Sequence, residues 1–124
     1  MKKKQLNNFS IAHTIKDNPR QKAWRKQRKK RGFDDTEVWN LHYTMYQFMI
    51  PRLERFRDIT ISFPSTETVE SYNEKLNFII SAFENYYTTN KYYESTDIEE
   101  RKQLTNDVIK AVDYLSKLWF ELWW

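Results

Sequence analysis

In TETVESYNEKLNFIISAFENYYT, residues 66–88, the side chains Val69, Tyr72, Leu76, Ile79, Phe83 and Tyr86 recur at alternating steps of three and four. Side chains so spaced share one face of a helix, whereas a half-buried strand would place an apolar residue at every second position. Ile80 and Tyr87 widen the stripe, and Glu74, Asn77, Ser81 and Glu84 fall on the opposite side. With Pro64 just ahead, the helix is predicted to start near Ser65 or Thr66 and to cover 66–88.

A stripe this wide has to be buried, and the flanking segments supply its partners. Downstream, Thr96 followed by Glu99 reads as a capping box. Leu104, Val108, Ala111, Leu115, Leu118 and Leu122 then form one apolar row, with Ile109, Val112, Trp119 and Trp123 in a second row beside it. Lys102, Asn106, Lys110, Asp113, Lys117 and Glu121 line the polar side, and Asp113 with Lys117 has the favourable acid-before-base order. This predicts a helix over 97–123.

Upstream, Asp34 with Glu37 approximates a capping box, and both negative charges suit the positive end of a helix dipole. Val38, Leu41, Met45, Phe48 and Met49 form an apolar face that continues past Pro51 to Leu53 and Phe56. The expectation is a helix over about 34–57, kinked at Pro51 because proline lacks an N–H and crowds the preceding turn. The fold class is therefore all-α: a three-helix bundle (34–57, 66–88, 97–123) preceded by a basic N-terminal helix or arm. The links at 58–64 and 89–95 are short enough for antiparallel neighbours. ITISF (59–63) alternates as a strand would, but without a strong partner it reads as an extended linker laid on the bundle. Phe9, Ile11 and Ile15 suggest that residues 5–15 do the same, or form a short ladder with it.

Composition agrees. A chain of 124 residues is sized for one domain, and one Gly with three Pro leaves little punctuation for many short strands. The absence of Cys excludes disulfides, thiolate chemistry and sulfur-ligated zinc. Met1-Lys2-Lys3-Lys4 leads into QLNNFS and not into an apolar stretch, so no signal peptide is read, and no apolar run is long enough for a transmembrane segment.

Charge divides the chain unevenly. Residues 1–31 hold 12 Lys/Arg and a single acid, Asp17, whereas residues 32–124 hold 9 Lys/Arg and 16 Asp/Glu. This organisation reads as a flexible or extended arm (1–18), a basic helix (19–31) and the bundle (33–124). Asn18 is a cap residue, Pro19 suits the first helical position, and Gly32 is placed to end the helix. Between them lie Arg20, Lys22, Arg25, Lys26, Arg28, Lys29, Lys30 and Arg31, which surround the helix and leave only Ala23 and Trp24 as an apolar foothold. Such a helix repels itself and adds little to a core. A polyphosphate would neutralise it and release counterions, with Trp24 stacking on an unpaired base. The candidate nucleic-acid-binding set is therefore these eight residues and Trp24. The competing readings are a solvated basic tail, or an arm resting on its own acidic domain.

Signals for catalysis are weak. His13 and His42 lie in different segments, one glycine cannot build a phosphate-cradling loop, and the acids Asp34, Asp35 and Glu37 cluster for the sufficient reason of capping. No catalytic residue, metal ligand or cofactor is expected, and the chain is not read as an enzyme. The chain carries 21 Phe, Trp and Tyr residues, more than a small bundle buries. In the finish LWFELWW, Phe120 and Trp124 point away from the core side and are the candidate partner interface, for another protein or a homo-oligomer.

RKKRGFDDTEVWNLHYTMYQFMIPRLERF (28–56) resembles a pattern in small, uncharacterised bacteriophage proteins: Arg-Gly-aromatic, an acidic cap, Trp-x-Leu-Asp-Tyr, then Pro-Arg-Leu. Gly32, Trp39, Leu41, Tyr43, Pro51, Arg52 and Leu53 carry it, and NFIISAFE (77–84) and YLSKLWFELWW (114–124) continue it loosely. His42 stands where the pattern has Asp, so no role for that acid carries over. The resemblance implies a phage or prophage product in a bacterial host cytoplasm, or in a virion, and implies no activity. The expected function is an accessory protein binding RNA or DNA through its basic segment. The alternative is a protein-interaction module, a host-factor inhibitor or virion component, using the aromatic surface.

Overall fold

The computed structural model describes residues 9–87 and 91–123. Residues 1–8 of the predicted arm and Trp124 of the predicted interface lie outside these. The fold is all-helical, with no strand among the described residues: α1 Gln21–Arg31, α2 Thr36–Trp39, α3 Leu41–Ile59, α4 Val69–Tyr87, α5 Lys91–Glu94 and α6 Ile98–Leu118. Short 3-10 turns occupy Ala12–Thr14 and Trp119–Glu121. The chain divides into two compact units, Met1–Met49 and Ile50–Trp124, whereas the sequence reading divided it at Gly32.

The second unit contains the helix read first. Tyr72, Leu76, Ile79, Ile80, Phe83 and Tyr87 are buried along α4 as their spacing requires, together with Ala82. Val69 is exposed and Tyr86 only half-buried, so the stripe is narrower at its ends than predicted. The helix starts later than expected because a reciprocal cap forms there. Ser71 N–H donates to Thr68 Oγ1 at 3.0 Å, and Thr68 N–H donates to Ser71 Oγ at 2.9 Å. From α6, Leu104, Ala111, Leu115 and Leu118 complete this core. Phe78 meets Tyr114 edge-on at 5.5 Å, and the Tyr72 hydroxyl donates to the Glu121 carbonyl at 3.0 Å, so α4 and α6 run antiparallel.

Three expectations for α6 need correction. Its cap is Asp97, whose Oδ1 accepts from Glu99 N–H at 2.9 Å, and not Thr96. The helix ends at Leu118, not 123. The second apolar row, Ile109, Val112, Trp119 and Trp123, is exposed, because α4 covers a single face. The predicted Asp113–Lys117 pair forms at 3.0 Å. Part of the 89–95 link is the short α5. Residues 60–63 are irregular, with Ile61 and Phe63 exposed and Pro64 buried.

The single helix predicted over 34–57 is two helices, broken at Asn40, whose φ of −129° and ψ of 67° are not helical. Helix α3 then passes through Pro51 to Ile59. In the second unit its buried residues are Ile50 and Leu53, and Phe56 packs edge-on against Tyr72 at 6.5 Å. Val38, Leu41, Met45 and Phe48, predicted as core, are exposed. Val38 lies on α2, before the break at Asn40, so it shares no continuous helix face with Leu41, Met45 and Phe48 of α3, and Phe48 meets Phe9 edge-on at 6.4 Å.

The first unit is built around a buried carboxylate. Asp34 is 0% exposed. Its Oδ2 accepts from Ser10 Oγ and Arg28 Nη1, and its Oδ1 accepts from Thr36 Oγ1 and, at 2.9 Å, from Thr36 N–H. Glu37 Oε2 reaches back to Asp34 N–H at 2.8 Å, which completes the expected reciprocal cap in a modified form. Residues 9–18 are tied to the rest by Ser10 and by Gln21, whose Nε2 donates to the carbonyls of Ala12 (2.7 Å) and Ile15 (2.9 Å).

Candidate nucleic-acid interface

The basic helix ends where its sequence announces but starts at Gln21 and not at Pro19, with Arg20 at the N-cap and no side-chain cap bond. Asn18 Oδ1 accepts from Arg20 N–H at 2.9 Å, and Gly32 ends α1 at φ 85°, a left-handed conformation that glycine adopts without strain. The four basic residues of its last turn face the negative end of the helix dipole.

Its charges surround it as the spacing requires, but one side is engaged and buries Trp24, which corrects the expectation that the helix adds little to a core. At about 100° per residue, Arg20, Trp24, Gln27, Arg28 and Arg31 fall on one side. Every one of them is engaged. Trp24 is 1% exposed and meets Trp39 edge-on at 5.5 Å. The Arg20 guanidinium lies 5.2 Å from both indoles, within cation–π range. Arg28 is paired with Asp34. Arg31 pairs with Asp35 at 2.7 Å and lies 4.4 Å over the Phe33 ring. Gln27 exchanges two hydrogen bonds with Asp35, one with its carboxylate (2.8 Å) and one from its N–H (2.9 Å).

Lys22, Arg25, Lys26, Lys29 and Lys30 occupy the other side. They are exposed and make no ion pair or hydrogen bond among the described residues. Four of them, with Arg28 at the margin, line a surface depression of about 520 Å³. From Lys22 to Lys30 the helix rises about 12 Å.

Of the nine predicted nucleic-acid residues, five thus form one open cationic face, and Arg20, Arg28, Arg31 and Trp24 are committed to holding the helix. Trp24 cannot stack on a base while it is buried against Trp39. The sequence reading missed Trp39, Ser10, Thr36 and Gln27. The i, i+4 pair Arg20 and Trp24 was the available signal for a cation–aromatic contact, but nothing local points to Trp39.

The electrostatics follow this geometry. Burial pushes the Asp34 carboxyl up, but hydrogen bonds from Ser10, Thr36 and Arg28 outweigh it, and the net shift is downward. Asp35 is lowered chiefly by its hydrogen bonds from Arg31 and Gln27. Both acids are therefore charged at neutral pH and offset part of α1's self-repulsion from one side only.

The predicted partner residue Phe120 is 88% exposed. No helix among the described residues is long and apolar enough to cross a membrane. No family model matches the chain, and no curated protein or solved structure matches it.

Proposed function

We infer that this protein binds nucleic acid through the open face of α1, without catalysis, as a phage or prophage accessory protein acting in a bacterial cytoplasm or carried in a virion. The observation that supports the reading is the division of the basic helix. Five cations without partners among the described residues share one side, and the opposite side is fixed by Trp24, Arg20, Arg28 and Arg31. Charge held on a rigid element neutralises phosphates with less ordering cost than the same charge on a disordered tail. With Trp24 buried, recognition rests on the phosphate backbone and not on base stacking. The three-helix bundle belongs to this reading as well, assembled from residues 50–59, α4 and α6.

The test is a salt titration of binding. If all five cations engage, the log–log slope is about 4.5 for duplex DNA and about 3.5 for single strands. Each Lys22→Ala, Lys26→Ala or Lys29→Ala change lowers it by about 0.7 to 0.9. A salt-independent affinity, or equal binding to RNA, DNA and heparin, counts against the assignment. Equal binding would favour the second reading, a protein-interaction module, which the exposed Trp119, Phe120 and Trp123 support.

A further inference from the structure

The exposed side of α6 carries a second seam. Ile98, Lys102, Thr105, Ile109, Val112, Ser116, Trp119 and Trp123 follow steps of 4, 3, 4, 3, 4, 3 and 4. All but the half-buried Thr105 are exposed. A 3–4 repeat on an exposed surface beside the buried row is the pattern by which one helix packs along another. The repeat is also palindromic about the midpoint of Lys110 and Ala111. Reversing the order of the positions returns the same positions.

We propose that a second copy of this chain packs antiparallel along this face of α6, forming a two-fold symmetric dimer. Ile109 of each copy then meets Val112 of the other, and Thr105 meets Ser116, two small residues that permit close approach. Lys102 meets Trp119 where α6 ends, and Trp123 lies beyond that end. The two ends of the seam differ in chemistry, one cationic and recessed, the other aromatic and projecting. At one end, Tyr92, Ile98, Arg101, Lys102, Thr105 and Asn106 line a depression of about 330 Å³. At the other end, Trp119, Phe120 and Trp123 project at 58%, 88% and 63% exposure. Of the rim cations, Arg101 lies 5.4 Å over the Tyr92 ring and Lys102 is 3.6 Å from Glu99 with its side chain 66% exposed, and the second copy's rings would add a cation–π pairing. Trp119 lies 17 positions from Lys102, about 25 Å along one helix, so a chain's own aromatics cannot fill its own depression.

The area suffices. At about 150–250 Å² per aromatic side chain, these three leave roughly 400 Å² uncovered. With Ile98, Ile109 and Val112 beside them the stripe approaches the roughly 800 Å² per partner of a standard interface. The contact is isologous, so it closes at two copies and builds no fibre. It stands independently of the nucleic-acid reading.

Sedimentation equilibrium on the full chain tests the proposal, with circular dichroism to confirm that each variant folds. The expected result is a dimer at about 10 µM whose dissociation constant rises at least about 30-fold in Trp119→Ala/Phe120→Ala. The register is read by disulfide trapping, since the chain has no cysteine of its own. Thr105→Cys mixed with Ser116→Cys cross-links between the two variants. Either variant alone does not, because its two sulfurs sit about 16 Å apart along the paired helices. A monomer at about 100 µM overturns the proposal. So does a dimer indifferent to the double alanine change, or cross-linking of Thr105→Cys with itself.

Discussion

Replacing Asp34 by alanine removes the acceptor on which four donors converge: Ser10 Oγ, Arg28 Nη1, Thr36 Oγ1 and Thr36 N–H. The carboxylate has no exposed surface, so water does not take its place without a rearrangement. Truncating one partner of a buried charged pair costs about 3–5 kcal/mol, because the other is left uncompensated. Arg28 is only 31% exposed and recovers part of its hydration by turning outward, which places the expectation near the lower end, about 3 kcal/mol. Stability of about 0.05–0.15 kcal/mol per residue gives a unit of this size only a few kcal/mol in total. Asp34→Ala should therefore unfold much of the first unit at room temperature. Urea titration followed by the emission of Trp24 and Trp39 measures this, since Trp24 passes from full burial to water. Asp34→Asn should lose nearly as much, because its NH₂ would face donors from Ser10 and Arg28. The acid dependence has a definite sign. The folded carboxyl is depressed below its ordinary value, so its contribution is complete above the unfolded value near 3.8 and is lost as pH falls through the folded one. A loss below about 1 kcal/mol in Asp34→Ala would refute the reasoning, since it would mean that the network contributes no more than ordinary exposed hydrogen bonds.

Leu76, wholly buried on α4, should cost about 2–5 kcal/mol when changed to alanine, read from the denaturant midpoint of the second unit. Gly32→Ala should cost about 1–2 kcal/mol with no steric clash, because the space beside Cα is open and the φ of 85° alone opposes a Cβ. Burial, and then Glu54, raise the Glu84 carboxyl, so the folded state favours its protonated form. Stability there is gained as pH falls through the raised value. Glu84→Gln should accordingly raise the melting temperature at neutral pH and leave it unchanged in acid.

Local periodicity carried the reading of α4 and of the inner row of α6, where long-range structure only had to provide a cover. It also located the Asp34–Glu37 cap and the Gly32 stop, which depend on neighbours within a few residues. It failed across α2 and α3, where the break at Asn40 divides the predicted face and Val38, Leu41, Met45 and Phe48 are exposed. It failed for Trp24 as well, since the residue that buries it, Trp39, lies 15 positions away and beyond a turn. The candidate site was legible as a charge run but not as two sides. The partners that separate them, Ser10, Trp39 and Asp34, come from three different segments of the chain. Part of the second seam of α6, Ile109, Val112, Trp119 and Trp123, was visible as an apolar row, and only the position of α4 shows that it stays uncovered.

The three partnered cations, Arg20 at the N-cap and Arg28 and Arg31 within α1, are all arginines, and four of the five open ones are lysines. Stacking between indoles, or donating in fixed directions to a buried carboxylate, needs a flat fork of donors, whereas meeting a phosphate at a distance needs only charge. Exchange between lysine and arginine should therefore be nearly silent at positions 22, 25, 26, 29 and 30 and damaging at 20, 28 and 31. Under neutral drift the same helix would diverge at two speeds, with one side free to interchange its bases and the other held to a single residue type.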